Sequence, residues 1–266
     1  MSALFAAQPG LRVLQHNLWV YRRTWRGSIF SSFLTPILFL LAMGLGIGTL
    51  VGGRGSSGAG LPGGVSYVAF LAPGLMAGAA MQTASFESTF RIMIGIEWRK
   101  GFHAMLATPL RVWDVLIGEL GYLGFRLLTT ATAFFVVMVA FGVPRGPEAI
   151  LAIPAAILTG FAFGPVIMAF AATLRGNTNG FNMLFRFVVM PLYLFSGTFF
   201  PIEQLPSALR AVAWLSPLYH GVALTRDLTL GTLDPLLTLA HLAILVVFAA
   251  IGVVLAHRNM RRRLVT

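Results

Sequence analysis

Long apolar runs dominate the chain, and charged or glycine-rich segments separate them. A helix that crosses a bilayer needs about 20 predominantly apolar residues. Six runs reach that length: 29–51, 65–86, 115–141, 149–174, 180–200 and 236–256. The pattern therefore predicts an all-α integral membrane protein with six transmembrane helices.

The polar segment before the first run has its own helical pattern. Five residues share one stripe at 100° per residue: Leu11, Leu14, Leu18, Tyr21 and Trp25. Arginines lie off this stripe, which is typical of a helix that rests on the membrane surface. We therefore expect residues 1–28 to form a cytoplasmic N-terminal amphipathic interface helix. The pattern fits a plain anchor and a moving, gating element equally well.

Composition supports a membrane protein and excludes several other classes. Of the 266 residues, 57% are hydrophobic and 10% are charged, whereas globular chains carry about 25% charged residues. An ordinary soluble enzyme and a disordered chain are therefore excluded. The chain has no cysteine, which excludes disulfides and thiolate metal sites. The net charge is +11, but the basic residues flank the apolar runs, so we expect no nucleic-acid partner.

The distribution of basic residues predicts the orientation. Six spans place both termini on one side, and 13 of the Lys and Arg residues outside the runs lie on that side, against four on the other. Basic residues favour the cytoplasmic side of a membrane. We therefore expect a multi-pass protein of the bacterial inner membrane with both termini cytoplasmic, including a basic tail over 258–266.

Residues 90–114 form the longest predicted cytoplasmic connection. It carries a run of polar and aromatic residues: Glu97, Trp98, Arg99, Lys100, His103 and Thr108. Pro109 disfavours the helical conformation at the residue before it, so a short helix should end near Thr108. A second helix should then begin and continue into the third run. A short helix at the membrane face suits the docking of a soluble partner; a simple solvated loop is the alternative.

Residues 201–226 are predicted to lie outside, yet they are too apolar for a normal loop. Prolines divide the segment, and aromatic residues follow them: Pro201, Pro206, Trp214, Pro217, Tyr219 and His220. Each part is too short to span the bilayer at ~1.5 Å per residue. The segment predicts two short re-entrant helices that enter the outer leaflet before the last span.

Charged residues inside the runs are functional candidates by default. The 15 residues from 127 to 141 extend only ~23 Å, which places Arg126 near the cytoplasmic edge, where it can snorkel. Glu119 lies seven residues earlier on the same helix face, and we expect it to pair with Arg126 or with a neighbouring loop. Arg186 either lines a central path or snorkels; the sequence leaves both open.

The chain lacks the motifs of catalysis and of ATP binding. It has one lysine, Lys100, and no phosphate-binding Gly-Lys-Ser/Thr motif. Its five histidines show no metal-ligand spacing, and His241 and His257 flank the last run as interfacial residues. We therefore expect no metal, no catalytic residue and no energy source on this chain. One function that fits this absence is a transporter driven by a separate partner protein. The alternatives are an ion-coupled secondary transporter or channel, a membrane enzyme such as a lipid transferase, and a structural anchor.

Five segments, taken in order, resemble the ABC-2-type permease family, the membrane subunits of ATP-binding-cassette exporters. They are FLAPGLM at 70–76, QTASFESTF at 82–90, AMLATPLR at 104–111 followed by Gly118 and Glu119, SGTFFPI at 196–202 and WLSPLYH at 214–220. The resemblance covers essentially the whole chain. Within the family, the residues of these segments are most similar to those of nodulation-type lipo-oligosaccharide export permeases, and daunorubicin-type drug exporters are close relatives.

The resemblance implies a permease domain over 29–257 that works with two ATPase subunits, which carry the ATP and Mg, and with a second permease copy, as a homodimer or a heterodimer. The segment from Glu97 to Thr108 would be the coupling helix, with Pro109, Gly118 and Glu119 close to that contact. The first and fifth spans would form the dimer interface, and the path between protomers would carry a glycolipid, a polysaccharide or a drug. On this basis, replacing Glu97 or Glu119 with Ala should uncouple ATP hydrolysis from export.

Overall fold

The computed structural model describes residues 9–47, 65–176 and 178–265, and these residues form helices joined by short turns, without a β-strand. The long helices are α1 (Pro9–Leu41), α2 (Tyr67–Met93), α4 (Val112–Ala140), α5 (Ala152–Ala171) and α10 (Pro235–Leu264). The short helices are α3 (Gly101–Leu106), α6 (Asn179–Leu184), α7 (Met190–Phe195), α8 (Ser207–Leu215) and α9 (Pro217–Leu230). π-helical turns cover Ala42–Ile47, Ile94–Trp98 and Phe185–Val189, and 3₁₀ turns cover Pro147–Leu151 and Ile202–Gln204. The all-α prediction is confirmed.

Local sequence explains where several helices begin and end. The Ser216 hydroxyl accepts a hydrogen bond from the Leu218 amide, and proline follows it at the first position of α9. Gly231 ends the same helix with a φ of 73°, a conformation that glycine adopts without steric cost. Asp234 caps α10 by accepting hydrogen bonds from two amides of its first turn. The outer helices are therefore fixed by short-range signals.

Helix α2 lies at the centre of the bundle, where it packs against α4, α5 and α9. Two thirds of its residues are buried, whereas α10 packs along α5 and leaves an apolar outer face exposed. Close helix packing depends on glycine at Gly160 and Gly164, because a Cβ at either position would overlap Leu127 or Leu123 of α4. Small residues thus bring α4 and α5 together without a polar contact.

Four described helical stretches are long and apolar enough to cross a membrane: Tyr67–Trp98, Val112–Ala140, Pro147–Ala171 and Pro235–Leu264. They coincide with the predicted second, third, fourth and sixth runs. The described part of the first run contributes to a shorter apolar helix, Trp25–Leu41, and residues 48–51 of that run lie outside the described residues. The fifth run folds as α6, a π-helical turn and α7, which together extend only ~25 Å. The count of six spans stays a prediction.

Helix α1 continues through residues 28 and 29 without a break, although the sequence predicts separate elements there. Residues 1–8 of the predicted interface helix lie outside the described residues. In the remainder, the buried stripe is centred on Val13 and Asn17, and Trp25 is 43% exposed. The residues buried against α4 therefore lie beside the predicted stripe, because α1 places Val13 where Gly118 leaves no Cβ. That the stripe faces the membrane surface stays a prediction.

Candidate functional site

A buried ion pair joins α2 to α4 and reaches α1. Glu119 is 3% exposed. Its carboxylate accepts hydrogen bonds from Arg91 Nε at 3.1 Å and Nη2 at 3.0 Å, and from Asn17 Nδ2 at 2.9 Å. The Arg91 guanidinium also lies over the ring of Tyr122, 3.9 Å from its centroid. Three helices therefore meet at one carboxylate.

A second ion pair lies along the same helices. Arg126 Nε donates to Glu87 Oε1 at 2.7 Å, and its Nη1 donates to the hydroxyls of Tyr21, at 3.4 Å, and of Ser28. Arg126 is thus held by α2 on one side and by α1 on the other.

Glu119 does not pair with Arg126. Its partner Arg91 comes from the segment 90–114 that the sequence predicts as a connection, but at this point the segment is still helical and belongs to α2. Seven residues along α4 separate Glu119 from Arg126 by ~10 Å. Helix α2 runs antiparallel beside them and presents Arg91 opposite Glu119 and Glu87 opposite Arg126. Both α4 charges are therefore neutralised across the interface between α2 and α4.

A cavity of about 350 Å³ opens beside Arg126, between α1, α2 and α4. Its wall mixes hydroxyl, amide and charged groups with aromatic rings: Ser32, Thr35, Gln82, Thr83, Phe86, Glu87, Arg126, Thr130 and Phe134. The proposed path residue Arg126 therefore faces a cavity. Such a mixed wall can contact both the polar and the apolar part of an amphipathic molecule.

The second candidate path residue, Arg186, lies elsewhere. It is exposed on the π-helical turn between α6 and α7, and its neighbours Met183 and Phe187 are 65% and 68% exposed. Its guanidinium lies 6.0 Å from the Phe187 ring centroid. The structure therefore separates Arg186 from the cavity that Arg126 lines.

The segment 90–114 folds as the sequence predicts. Helix α2 continues into the π-helical turn Ile94–Trp98, Lys100 takes a positive φ of 50°, and α3 then covers Gly101–Leu106. The short helix ends before Thr108 and Pro109, and α4 begins at Val112. This confirms the helix boundaries, and the role of the segment stays a prediction.

Contacts inside this segment hold α3 in place. The buried ring of Phe102 packs directly on Gly95, where no Cβ intervenes. Arg99, Lys100 and His103 are exposed on the outer side. Glu97 forms an ion pair with Arg263 near the end of α10. The last helix and the segment before α3 are therefore tied together by charge.

At the opposite end of the bundle, two histidines form a contact that the sequence does not predict. His220 Nδ1 lies 2.8 Å from His241 Nδ1, and His220 Nε2 lies 3.0 Å from the Trp214 carbonyl oxygen. A carbonyl only accepts, so His220 carries its hydrogen on Nε2, and His241 Nδ1 donates to His220 Nδ1. Both rings are buried, at 3% and 6% exposure. Burial lowers the pKa of His220, and the hydrogen bond to Trp214 opposes this change.

The sequence predicts that His241 is an interfacial residue. In the structure its ring is buried and packs against His220 of α9. The partners lie 21 residues apart on different helices, and no local spacing signals such a pair. Within the described ranges, no three His, Asp or Glu side chains gather as a metal site would require.

The external segment packs into the bundle through α9. Arg226 Nε donates to the Phe70 carbonyl at 3.1 Å, and its Nη2 donates to the Gly197 carbonyl at 2.9 Å. Thr225 Oγ1 donates to the Pro73 carbonyl at 3.1 Å. Arg226, which the sequence assigns to the outer loop, thus fixes α9 against the first turns of α2.

An outer cavity of about 390 Å³ adjoins Arg226. Charged, histidine and aromatic side chains share its wall: Arg145, Glu203, Tyr219, Arg226, Asp227 and His241. Pro201 also lines it, and the Trp214 ring lies 5.3 Å from that of Tyr219. Pro217 is the first residue of α9. The external candidates Pro201, Trp214, Tyr219 and His220 therefore cluster, whereas their entry into the outer leaflet stays a prediction.

Comparisons with known proteins agree with this architecture. Residues 11–230 match the family model described as ABC-2 type transporter. The chain is 30% identical to Nodulation protein J of Rhizobium leguminosarum bv. trifolii, over 96% of this chain and 93% of the relative. It is 29% identical to Nodulation protein J of Sinorhizobium fredii, over 100% of this chain and 98% of the relative. It is also 24% identical to the Probable multidrug ABC transporter permease YbhS of Escherichia coli, over 65% of this chain and 46% of the relative.

Proposed function

The chain belongs to the ABC-2 type transporter family, and from this membership we propose that it is the permease subunit of an ATP-driven exporter of a lipid-linked oligosaccharide or polysaccharide. The observation that carries the proposal is the near full-length likeness to Nodulation protein J. The chain supplies the path and the mechanical link, and ATP and Mg are bound by a separate ATPase.

The geometry of α3 supports a coupling role. This short helix joins the two helices that carry the buried ion pairs. Arg99 and Lys100 just before it, and His103 on it, are exposed. Phe102 fixes it to the end of α2, so a push on α3 is transmitted to α2 and α4. We infer that two ATPase subunits dock on two copies of this helix, one for each permease chain.

The cavity beside Arg126 supports passage of an amphipathic molecule. The polar side chains of its wall can form hydrogen bonds with hydroxyl groups of the passing molecule, and Phe86 and Phe134 can contact its apolar groups. We further propose a homodimer in the bacterial inner membrane with cytoplasmic termini; a heterodimer with a related permease would keep the same path. The first and fifth predicted spans, which carry exposed apolar residues, would supply the contact between the two chains.

A second candidate is the permease of a drug exporter. Likeness to the Probable multidrug ABC transporter permease YbhS favours it. A drug exporter needs no sugar recognition, so its ATPase should be stimulated by apolar cations or drugs and should not respond to glycolipids. Comparing both substrate classes on one reconstituted complex separates the two candidates.

The first experiment is co-purification of the tagged chain from native membranes in mild detergent. A stoichiometric ATPase subunit is expected, and the triple change Arg99→Ser, Lys100→Ser and His103→Ser should remove it. The matched control changes Arg22 and Arg23 to Ser, because both are exposed on α1 and lie outside α3. The control should retain the ATPase.

Recovery of the chain alone in several mild detergents would contradict the proposal. Transport by the purified chain under an ion gradient would then establish the secondary transporter. Glu97→Ala offers an independent check of coupling, because it breaks the contact with Arg263. ATP hydrolysis should continue in that variant while export falls. Unchanged export with an intact complex would contradict a role for this contact.

A further inference from the structure

A groove at the C-terminal end of α10 combines arginines with an apolar floor. A hollow of about 620 Å³ lies between this helix end and residues 106–113. A second hollow of about 400 Å³ is lined by residues of 257–265 alone and shares His257, Arg261 and Val265 with the first. Arg258 and Arg261 line the groove from α10, and Arg111 lines it from the opposite side. Leu110 and Val265 contribute apolar surface.

Three of the arginines that line the groove carry charge that the described residues do not neutralise. Arg111, Arg258 and Arg261 are exposed and form no ion pair with any part of the chain that the structure describes. Arg263, three residues from the chain end, differs because it pairs with Glu97. The groove therefore presents three cations to an outside ligand, and the ligand that complements them is an anion.

The position of the groove identifies the type of anion. α10 is the most apolar of the four helices that can cross a membrane, and its apolar stretch ends just before His257. Trp113 stands beside the groove, 43% exposed, with its ring 5.0 Å from that of His257. Tryptophan and arginine at the end of an apolar helix mark the level of the lipid headgroups. Basic pockets at this level bind anionic lipid headgroups.

We propose that this groove binds an anionic phospholipid, with Arg111, Arg258 and Arg261 contacting the phosphate and Leu110 and Val265 contacting the first carbons of an acyl chain. Arginine presents several N–H donors in a planar fork that matches phosphate oxygens. Because Arg263 joins the same helix end to Glu97, the bound lipid would also steady the segment before α3. The inference needs insertion in a membrane, and it does not depend on the exported substrate or on the ATPase.

The test is native mass spectrometry of the full chain in a neutral detergent, titrated with phosphatidylglycerol or phosphatidylcholine. The wild type should retain phosphatidylglycerol preferentially. Replacing Arg258 and Arg261 with Gln should weaken its retention about tenfold or more, since each basic residue near a charged headgroup contributes to the attraction. The control replaces Arg145 and Arg175 with Gln, which removes the same charge from exposed positions outside the groove and outside α1, and it should stay within about twofold of the wild type.

Three further measurements keep the proposal open to refutation. Replacing Arg258 and Arg261 with Lys retains the charge and should preserve most of the lipid preference, which separates lost binding from misfolding. Inorganic phosphate that displaces the lipid at millimolar concentration would indicate a free-phosphate site and overturn the proposal. Equal retention of both lipids, or an equal loss in the control variant, would also overturn it. So would unchanged lipid retention in the Gln variant together with loss of the ATPase, which would assign the arginines to the partner protein.

Discussion

Replacing Glu119 with Gln tests the buried ion pair between α2 and α4 most directly. The substitution keeps the shape of the side chain and removes its charge. Gln also places an amide N–H₂ where an oxygen now accepts from Arg91, so two donors would face each other. We expect the variant to insert in the membrane and to be less stable than the wild type.

The size of the loss follows from the contacts. Glu119 accepts two hydrogen bonds from Arg91 Nε and Nη2, and one from Asn17. Removing one partner of a fully buried pair costs about 3–5 kcal/mol. Arg91 retains 24% of its side-chain exposure, so water can solvate part of the released charge, and we expect about 2–3 kcal/mol. This corresponds to a fall of ~5–10 °C in the unfolding temperature.

The assay is thermal unfolding in mild detergent, followed by intrinsic tryptophan fluorescence. A second variant replaces Arg91 with Met and Glu119 with Leu together. Replacing both partners of a buried ion pair with apolar residues often leaves stability unchanged. Here Asn17 then lacks its hydrogen-bond partner, which costs ~1 kcal/mol of stability. The double variant should therefore be more stable than Glu119→Gln alone. Its ATPase coupling should also recover if Glu119 acts only through stability.

Two results would refute the reasoning. Glu119→Gln could unfold at the wild-type temperature, which would mean that the carboxylate is not held as the structure places it. The second result concerns a variant that carries Arg91→Gln and Glu119→Gln together. If its loss of stability equals the sum of the two single losses, the two side chains do not interact.

Three further predictions concern other contacts. Gly118→Val should clash with Val13 where α1 meets α4. Thermal unfolding should show a free energy of unfolding lower by about 1–3 kcal/mol. The control is Gly101→Ala, because a Cβ at Gly101 would point into open space. Arg226→Met should lose two hydrogen bonds to backbone carbonyls. If thermal unfolding shows that the free energy of unfolding falls by less than ~1 kcal/mol, these bonds are contradicted. Because burial lowers the pKa of His220, the folded state disfavours its charged form. Stability should therefore fall as pH drops below about 6.5, and His220→Gln should unfold with a weaker pH dependence.

The sequence by itself determined the helices and most of the apolar spans. Run length and capping residues are local signals, so the last run at 236–256 corresponds to Pro235–Leu264, and the short helix before Pro109 ends as predicted. Proline and glycine act through backbone geometry, which depends little on the rest of the fold.

Only the tertiary structure decided which residues meet. It pairs Glu119 with Arg91 and Arg126 with Glu87, and it brings His220 to His241. It also shows that Val13 and Asn17, which lie beside the predicted apolar stripe, are the α1 side chains buried in the bundle. The physical reason is the solvent: in a membrane both the buried face and the lipid face of a helix are apolar, so hydrophobic periodicity does not reveal which face packs inside. Helix order and rotation, and with them every contact between buried charges, follow from packing across the whole bundle.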